Sequence, residues 1–284
     1  MAGGLTRSQR VAGHFGELLQ GRLGPDGPVA LVTLPCPALA IRCDWRPGPF
    51  ALRQIGPAVI GQRAALALLR RLGLPARAAF RLSGALPPGG GAGASTAARV
   101  AFARAAAEAA GLPVPEAPAL ARACVASEGA SDPLMYPEPA RLLWGSRAGR
   151  VLATLPPPPP LEVIGGFFGP ARRTDPRDHD FPDIADLAEA WPRAVSDARA
   201  AARLASESAR RVLGHRHKGL ADPTEALADR LGALGFAIAH TGSARALLFR
   251  PGEVPAAATA ALRKAGFQQV TRFRAGGSAC SPAR

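Results

Sequence analysis

Residues 87–98 read Pro-Pro-Gly-Gly-Gly-Ala-Gly-Ala-Ser-Thr-Ala-Ala, with four glycines in the five positions 89–93. A glycine-rich turn lets consecutive backbone N–H groups approach an anion without obstruction by Cβ atoms, and a helix behind it adds the positive end of its dipole. Ser95 and Thr96 fall at the entrance of that helix. A hydroxyl there can cap the helix, touch a phosphate oxygen or ligate Mg²⁺. A plain glycine-rich loop before a helix would read the same way, so the weight of the stretch depends on three other segments. Gly13-His-Phe-Gly-Glu-Leu-Leu-Gln-Gly21 places Glu17 and Gln20 in an apolar run, where polar groups must be satisfied or must serve a ligand. Glu128-Gly-Ala-Ser-Asp132-Pro133 sets two carboxylates after a helical stretch, and Pro133 favours an extended Asp132. Ala239-His-Thr-Gly-Ser-Ala-Arg245 lies between two apolar runs, and its blander reading is a hairpin turn.

These residues need elements to hold them. Residues 11–20 and 29–44 alternate apolar and polar positions around a Gly-Pro-Asp-Gly turn at 24–27, which reads as an antiparallel opening. A helical face spans 57–72, a strand 78–83 feeds the glycine loop, and helices follow over 95–110 and 118–127. Residues 141–155 read as a hairpin turning at 146–149. The five prolines 156–160 favour a stiff extended connector, and a domain boundary is expected there, dividing the chain into 1–155 and 156–284. Beyond it come a strand at 161–168, one long helix over about 184–213, a helix over 224–234, and then strand, strand, helix and strand at 236–239, 246–249, 256–265 and 270–273. Helices mixed with hairpins argue for an α+β fold.

The chain has 284 residues and a net charge of +14. Such a charge raises the question of nucleic acid, but the arginines are dispersed and aromatics are few, so no nucleic-acid partner is expected. The two lysines, Lys218 and Lys264, lie far from the glycine loop, which therefore lacks the Gly-Lys-Ser/Thr ending of a P-loop. No stretch is long and apolar enough for a membrane span, and the first ten residues have no apolar signal core, so a cytoplasmic protein is expected. Cys36, Cys43, Cys124 and Cys280 lack metal-finger spacing and read as reduced thiols. His215 and His217 read as solvated.

The loop resembles the Pro-x-x-x-Gly-Leu-Gly-Ser-Ser-Ala-Ala motif of the GHMP small-molecule kinases, with Pro87, Gly91, Gly93, Ser95 and Ala97 in register. Ala92, Ala94 and Thr96 depart from it, and the change at Ala94 removes one hydroxyl. Residues 13–21 resemble the Gly-x-x-Gly-Glu-Leu-x-Gln-Gly opening of the L-threonine kinases of cobalamin synthesis, and Arg173-Thr174 with Asp178-His179 resembles a later segment of that branch, although His179 reads better as an ordinary loop residue. The resemblance implies a two-domain GHMP kinase fold, with a ribosomal-S5-like N-terminal domain and a ferredoxin-like C-terminal domain. It implies ATP bound by Pro88, Gly89, Gly90, Gly91, Ala92, Gly93, Ala94, Ser95 and Thr96, and Mg²⁺ held by Ser95 and Glu128. Asp132 and Ser95 would be catalytic, and Glu17, Gln20, Thr241, Gly242 and Ser243 would face the acceptor. The acceptor it implies is L-threonine, with a related amino alcohol or homoserine as the alternative. A non-catalytic nucleotide- or metabolite-binding regulator also stays open, as does a homodimer.

Overall fold

The computed structural model describes residues 7–216 and 221–277. Strands β1 (Arg7–Arg22) and β2 (Val29–Pro47) form the expected antiparallel opening. A short strand that the pattern did not announce, β3 (Ala51–Gln54), runs parallel to β4 (Ala78–Gly84). Between them α1 (Gln62–Arg71) starts later than its apolar periodicity, because the Gln54 side chain holds residues 59–60 as a loop. Its Oε1 accepts the N–H groups of Val59 (2.9 Å) and Ile60 (3.3 Å), and its Nε2 donates to the Ile60 carbonyl (2.8 Å).

The glycine loop leads into α2 (Ala94–Ala109), which buries Ala97, Ala98, Ala101, Phe102 and Ala105. A helix apolar on nearly every side belongs inside a domain, and its small side chains let it lie close against β1, β2 and β4. Helix α3 (Ala117–Glu128) and the hairpin β5 (Leu142–Gly145) with β6 (Arg150–Thr154) follow as expected. The proline run then connects β6 to β7 (Leu161–Phe167).

The long helix expected over 184–213 is two helices, α4 (Ala185–Ala194) and α5 (Ala198–Arg216). Pro192 has no N–H for the helical ladder. Asp197 then opens a new helix, its carboxylate accepting the N–H groups of Arg199 (3.2 Å) and Ala200 (3.1 Å). The chain closes with α6 (Thr224–Leu231), β8 (Gly235–Ile238), β9 (Ala244–Phe249), α7 (Ala258–Lys264) and β10 (Gln268–Ala275).

Among the described residues, all the strands belong to one ten-stranded sheet, ordered β10-β7-β9-β8-β1-β2-β4-β3, with β5 and β6 branching from β2. The strands on either side of the prolines meet where Glu17 of β1 pairs with Ile238 of β8. Phe15 packs against Phe167 (ring centroids 5.1 Å apart) and Phe273 (5.8 Å), tying the central strand to the later ones. A second cluster, including Ile164, Val212, Phe236 and Leu262, fills the core beneath α5, α6 and α7. The architecture is α+β, as expected. No helix among the described residues is long and apolar enough to cross a membrane. Cys36, Cys43 and Cys124 are buried and free, whereas Cys280, Lys218 and His217 lie outside the described residues. His215 lies in the last turn of α5 with its Nε2 2.6 Å from Asp180, and His179 is exposed.

Candidate active site

The glycine loop, α2, the end of α3 and a long loop after β7 enclose a cleft of about 330 Å³. Residues of the loop from Pro88 to Thr96 line it, with the exception of Gly90. The Gly90 carbonyl faces away and accepts the N–H groups of Ser243 (3.0 Å) and Ala244 (2.8 Å). Gly242 and Ser243 thus stand behind the glycine loop as its support, and of the expected turn residues only Thr241 reaches the cleft. Gln20 lines the cleft and also braces it, since its Oε1 accepts the His240 N–H (3.2 Å).

Neither Ser95 nor Thr96 caps α2 with its side chain. The leading N–H groups of this helix lack intrahelical partners, and together with the dipole they offer an anion site. The two hydroxyls turn instead to the two expected carboxylates. Ser95 Oγ donates to Glu128, and Thr96 Oγ1 donates to Asp132 Oδ2 (3.2 Å) while accepting the Asp132 N–H (3.3 Å). Arg99, one turn along α2, closes the first pair by reaching Ser95 Oγ (2.6 Å) and Glu128 Oε1 (3.0 Å). Burial raises the Glu128 carboxyl above its ordinary range, and the Arg99 charge offsets part of that.

Asp132 is more enclosed than its place before Pro133 implied. The preceding residue is pinned to the β5–β6 hairpin: the Ser131 carbonyl accepts the Trp144 indole N–H (2.7 Å), and its N–H donates to the Ser146 carbonyl (2.9 Å). His14 Nε2 of β1 lies 3.5 Å from Asp132 Oδ2. The other ring nitrogen of His14 lies 3.4 Å from Glu17 Oε1 and 3.2 Å from the Gly16 carbonyl.

In a regular strand, residues three apart point to opposite faces. His14 and Glu17 meet because β1 carries an irregularity at this point, with register shifts on both sides of Glu17 and Gly16 at φ 74°. A side chain at Gly16 would strike the Ile238 backbone at 2.8 Å, so the bulge needs glycine.

Both ring nitrogens of His14 therefore face acceptors, which calls for the doubly protonated ring. Burial opposes that charge, but Asp132 and Glu17 outweigh it and raise the His14 pKa to about 9. For Asp132, burial works against ionisation, yet the His14 charge and its hydrogen bond, with that of Thr96, hold the carboxyl below its ordinary value. Burial pushes Glu17 the other way, up to about 7, against the partial relief of His14. The stabilisation that His14 draws from this pairing is fully present below pH 6.5 and is lost as the pH rises through about 9. Ligand atoms of His14, Glu17 and Asp132 also lie within 4.8 Å of one another.

Sequence reading placed Glu17, Gln20, Ser95, Thr96, Glu128 and Asp132 on one cleft, and all six line it. It gave no role to His14, Arg99 or Arg147, which line it too. Arg99 carried a usable signal, standing four residues after Ser95 and so on the same helical face. Arg172 and Arg173 also reach the cleft, and the Arg172 N–H donates to the Gly89 carbonyl (2.9 Å), which ties the long loop to the glycine loop.

Residues 59–135, from the approach to α1 through the glycine loop to just past Asp132, match the model of the GHMP kinases N-terminal domain. No curated protein matches the chain in sequence. Among solved structures, the L. major mevalonate kinase in complex with R-mevalonate is similar at 17% identity, with a TM-score of 0.63 over 99% of this chain and 98% of that one. The Methanococcus jannaschii mevalonate kinase reaches a TM-score of 0.68 at 10% identity, covering 96% and 98%. The homoserine kinase from Cytophaga hutchinsonii reaches 0.55 at 15% identity, covering 98% and 96%. GHMP family members are small-molecule kinases. The chain has the GHMP kinase fold, and its residues 59–135 match the GHMP kinases N-terminal domain.

Proposed function

We propose that the protein is an ATP-dependent kinase that phosphorylates the hydroxyl of a small metabolite, and that the acceptor is L-threonine, giving O-phospho-L-threonine. The observation that carries the kinase reading is a single cleft in which a glycine loop and helix N-terminus directly adjoin the Asp132–His14–Glu17 group. Phosphoryl transfer asks mainly for positioning and neutralisation of charge. The backbone of the loop and the exposed Arg172 and Arg173 suit a triphosphate. Ser95 and Glu128, two oxygen donors already in contact, are the residues that would hold Mg²⁺, which would have to displace Arg99 from both of them. When bound there, the ion would neutralise phosphate charge.

Asp132 accepts the hydrogen bond of the acceptor hydroxyl and aims its oxygen at the phosphoryl group. Held ionised beside His14, it is a weak base, and it takes the proton only as the new oxygen–phosphorus bond forms. L-Threonine is favoured by the 13–21 segment and by Glu17, whose Oε2 is buried without a hydrogen-bond partner and suits an ammonium group. Incubation of Mg-ATP with L-threonine, L-serine, L-homoserine and 1-amino-2-propanol, followed by detection of ADP and phosphorylated product, tests the reading. ATP binding without transfer to any of them would return the protein to the class of regulators.

Two expected results bear on the assignments. Ser95→Ala should shift the Mg²⁺ dependence of the initial rate to higher concentration, and an unchanged titration would move the role to Thr96. Glu17→Gln should raise the KM for the amino-acid acceptor and leave the KM for ATP near normal. In the native protein that acceptor KM should also rise as the pH falls below about 7, where Glu17 takes up its proton, and in Glu17→Gln this dependence should vanish. A variant with normal kinetics and a lowered melting temperature would make Glu17 structural.

A further inference from the structure

Native proteins leave few buried polar atoms without a partner, and a cluster of them on one cavity wall calls for a ligand. Four such atoms belong to residues of this cleft: Glu17 Oε2, Ser131 Oγ, Ser146 Oγ and Arg147 Nε. Glu17, Ser131 and Ser146 are each more than nine-tenths buried.

Their chemistry divides by position. Ser131, Ser146 and Arg147 come from neighbouring backbone, since the Ser131 N–H donates to the Ser146 carbonyl (2.9 Å) and Arg147 follows Ser146 in the chain. All three atoms can donate a hydrogen bond. Glu17 comes from the bulge of β1 and its ionised carboxylate only accepts. A ligand complementary to both groups carries an anionic end and an ammonium end.

The Arg147 guanidinium is held ready for the anionic end. Its Nη2 donates to the carbonyls of Asp175 (3.2 Å) and Asp178 (3.1 Å), and it lies over the Phe181 ring at 5.6 Å. These contacts fix the plane of the guanidinium and leave its Nε–H without a partner. Arg172 is joined to the glycine loop through Gly89, on the phosphate side, whereas Arg147 adjoins the Ser131–Asp132 segment where the acceptor hydroxyl is placed.

We propose that Arg147, with the hydroxyls of Ser131 and Ser146, binds the carboxylate of an α-amino-acid acceptor whose ammonium group faces Glu17. The proposal rests on the kinase reading above for the hydroxyl and goes beyond it in assigning the carboxylate subsite, which excludes decarboxylated amino alcohols as the preferred acceptors.

The test compares L-threonine with 1-amino-2-propanol, which lacks only the carboxylate, as acceptors of the native enzyme and of Arg147→Met. Binding of L-2-aminobutyrate, which has the carboxylate and no hydroxyl, is measured in parallel by calorimetry. Native enzyme should prefer L-threonine in kcat/KM by roughly 10- to 100-fold, the usual scale for a hydrogen bond to a charged group, and Arg147→Met should bring the ratio near unity. L-2-Aminobutyrate should bind the native protein and not Arg147→Met, with ATP-analogue binding retained as the sign of an intact fold. If Arg147→Met does not fold, Ser131→Ala/Ser146→Ala should still weaken L-2-aminobutyrate binding, and unchanged binding overturns the subsite. Equal use of the two acceptors by native enzyme, or a preference that survives Arg147→Met, overturns it as well. Transfer to a carboxylate-free acceptor without L-2-aminobutyrate binding refutes the subsite and leaves the kinase standing. L-2-Aminobutyrate binding lost in Arg147→Met, without transfer to any acceptor, supports the subsite and refutes the kinase.

Discussion

Asp132→Asn is expected to lower kcat by ~10² to 10⁴-fold, the usual range for a general-base contribution, while ATP still binds. The substitution keeps the shape of the side chain and leaves the backbone bond to Thr96 in place. It removes the negative charge that the acceptor hydroxyl would meet and the proton-accepting capacity. It also removes the principal partner of His14, whose raised pKa depends first on Asp132 among its charged neighbours. The histidine should therefore titrate lower in the variant, which ring resonances followed by NMR between pH 6 and 10 would record. A second consequence is coupling: His14→Gln and Asp132→Asn should be far from additive, because each single change already breaks the same ion pair. A fall below about tenfold would mean that positioning by the loop and the metal carries the reaction. Collapse of the fold, with kcat per folded molecule retained, would make Asp132 a brace between α2 and the β5–β6 hairpin.

What could be read from sequence and what could not divide along physical lines. Local signals placed the opening hairpin, the glycine loop before α2, the hairpin at β5–β6 and the acidic segment after α3 close to where they stand. Each is written in a few consecutive residues, through turn glycines or apolar periodicity. The break between α4 and α5 was also local, in Pro192 and the capping Asp197, but the apolar face continues across it and masks the interruption. His14 is different. Nothing within its own strand says that it meets Asp132, which is supplied by a segment more than a hundred residues away, and the bulge at Gly16 that turns it toward Glu17 depends on the close approach of Ile238. Ser131, Ser146 and Arg147 are likewise ordinary residues in sequence. Their interest arises only when tertiary packing buries their polar atoms beside a cleft and leaves them unpaired.

Gly91→Val is expected to abolish nucleotide binding and turnover, for two reasons that act at one atom. The sequence reading gave the glycine one task, leaving room for phosphate beside the backbone. The fold adds a second. A Cβ at position 91 would lie 2.3 Å from the Ala239 Cβ and 2.4 Å from the Thr241 carbonyl oxygen, contacts that backbone cannot yield without moving. Gly91 is also at φ 71°, a conformation that a β-branched residue rarely adopts. The loop must therefore shift away from the 239–243 turn, and the Gly90 carbonyl would lose its bonds from Ser243 and Ala244. A displacement of about 1 Å at reacting groups can cost on the order of 10²-fold in rate, and here the whole row of N–H groups moves together. Calorimetric binding of a non-hydrolysable ATP analogue, with a thermal melt of the same sample, separates the outcomes. A variant that melts cooperatively but no longer binds the analogue supports the loop as the phosphate cradle. One that melts cooperatively and binds with native affinity would reduce residues 89–93 to a turn joining β4 to α2.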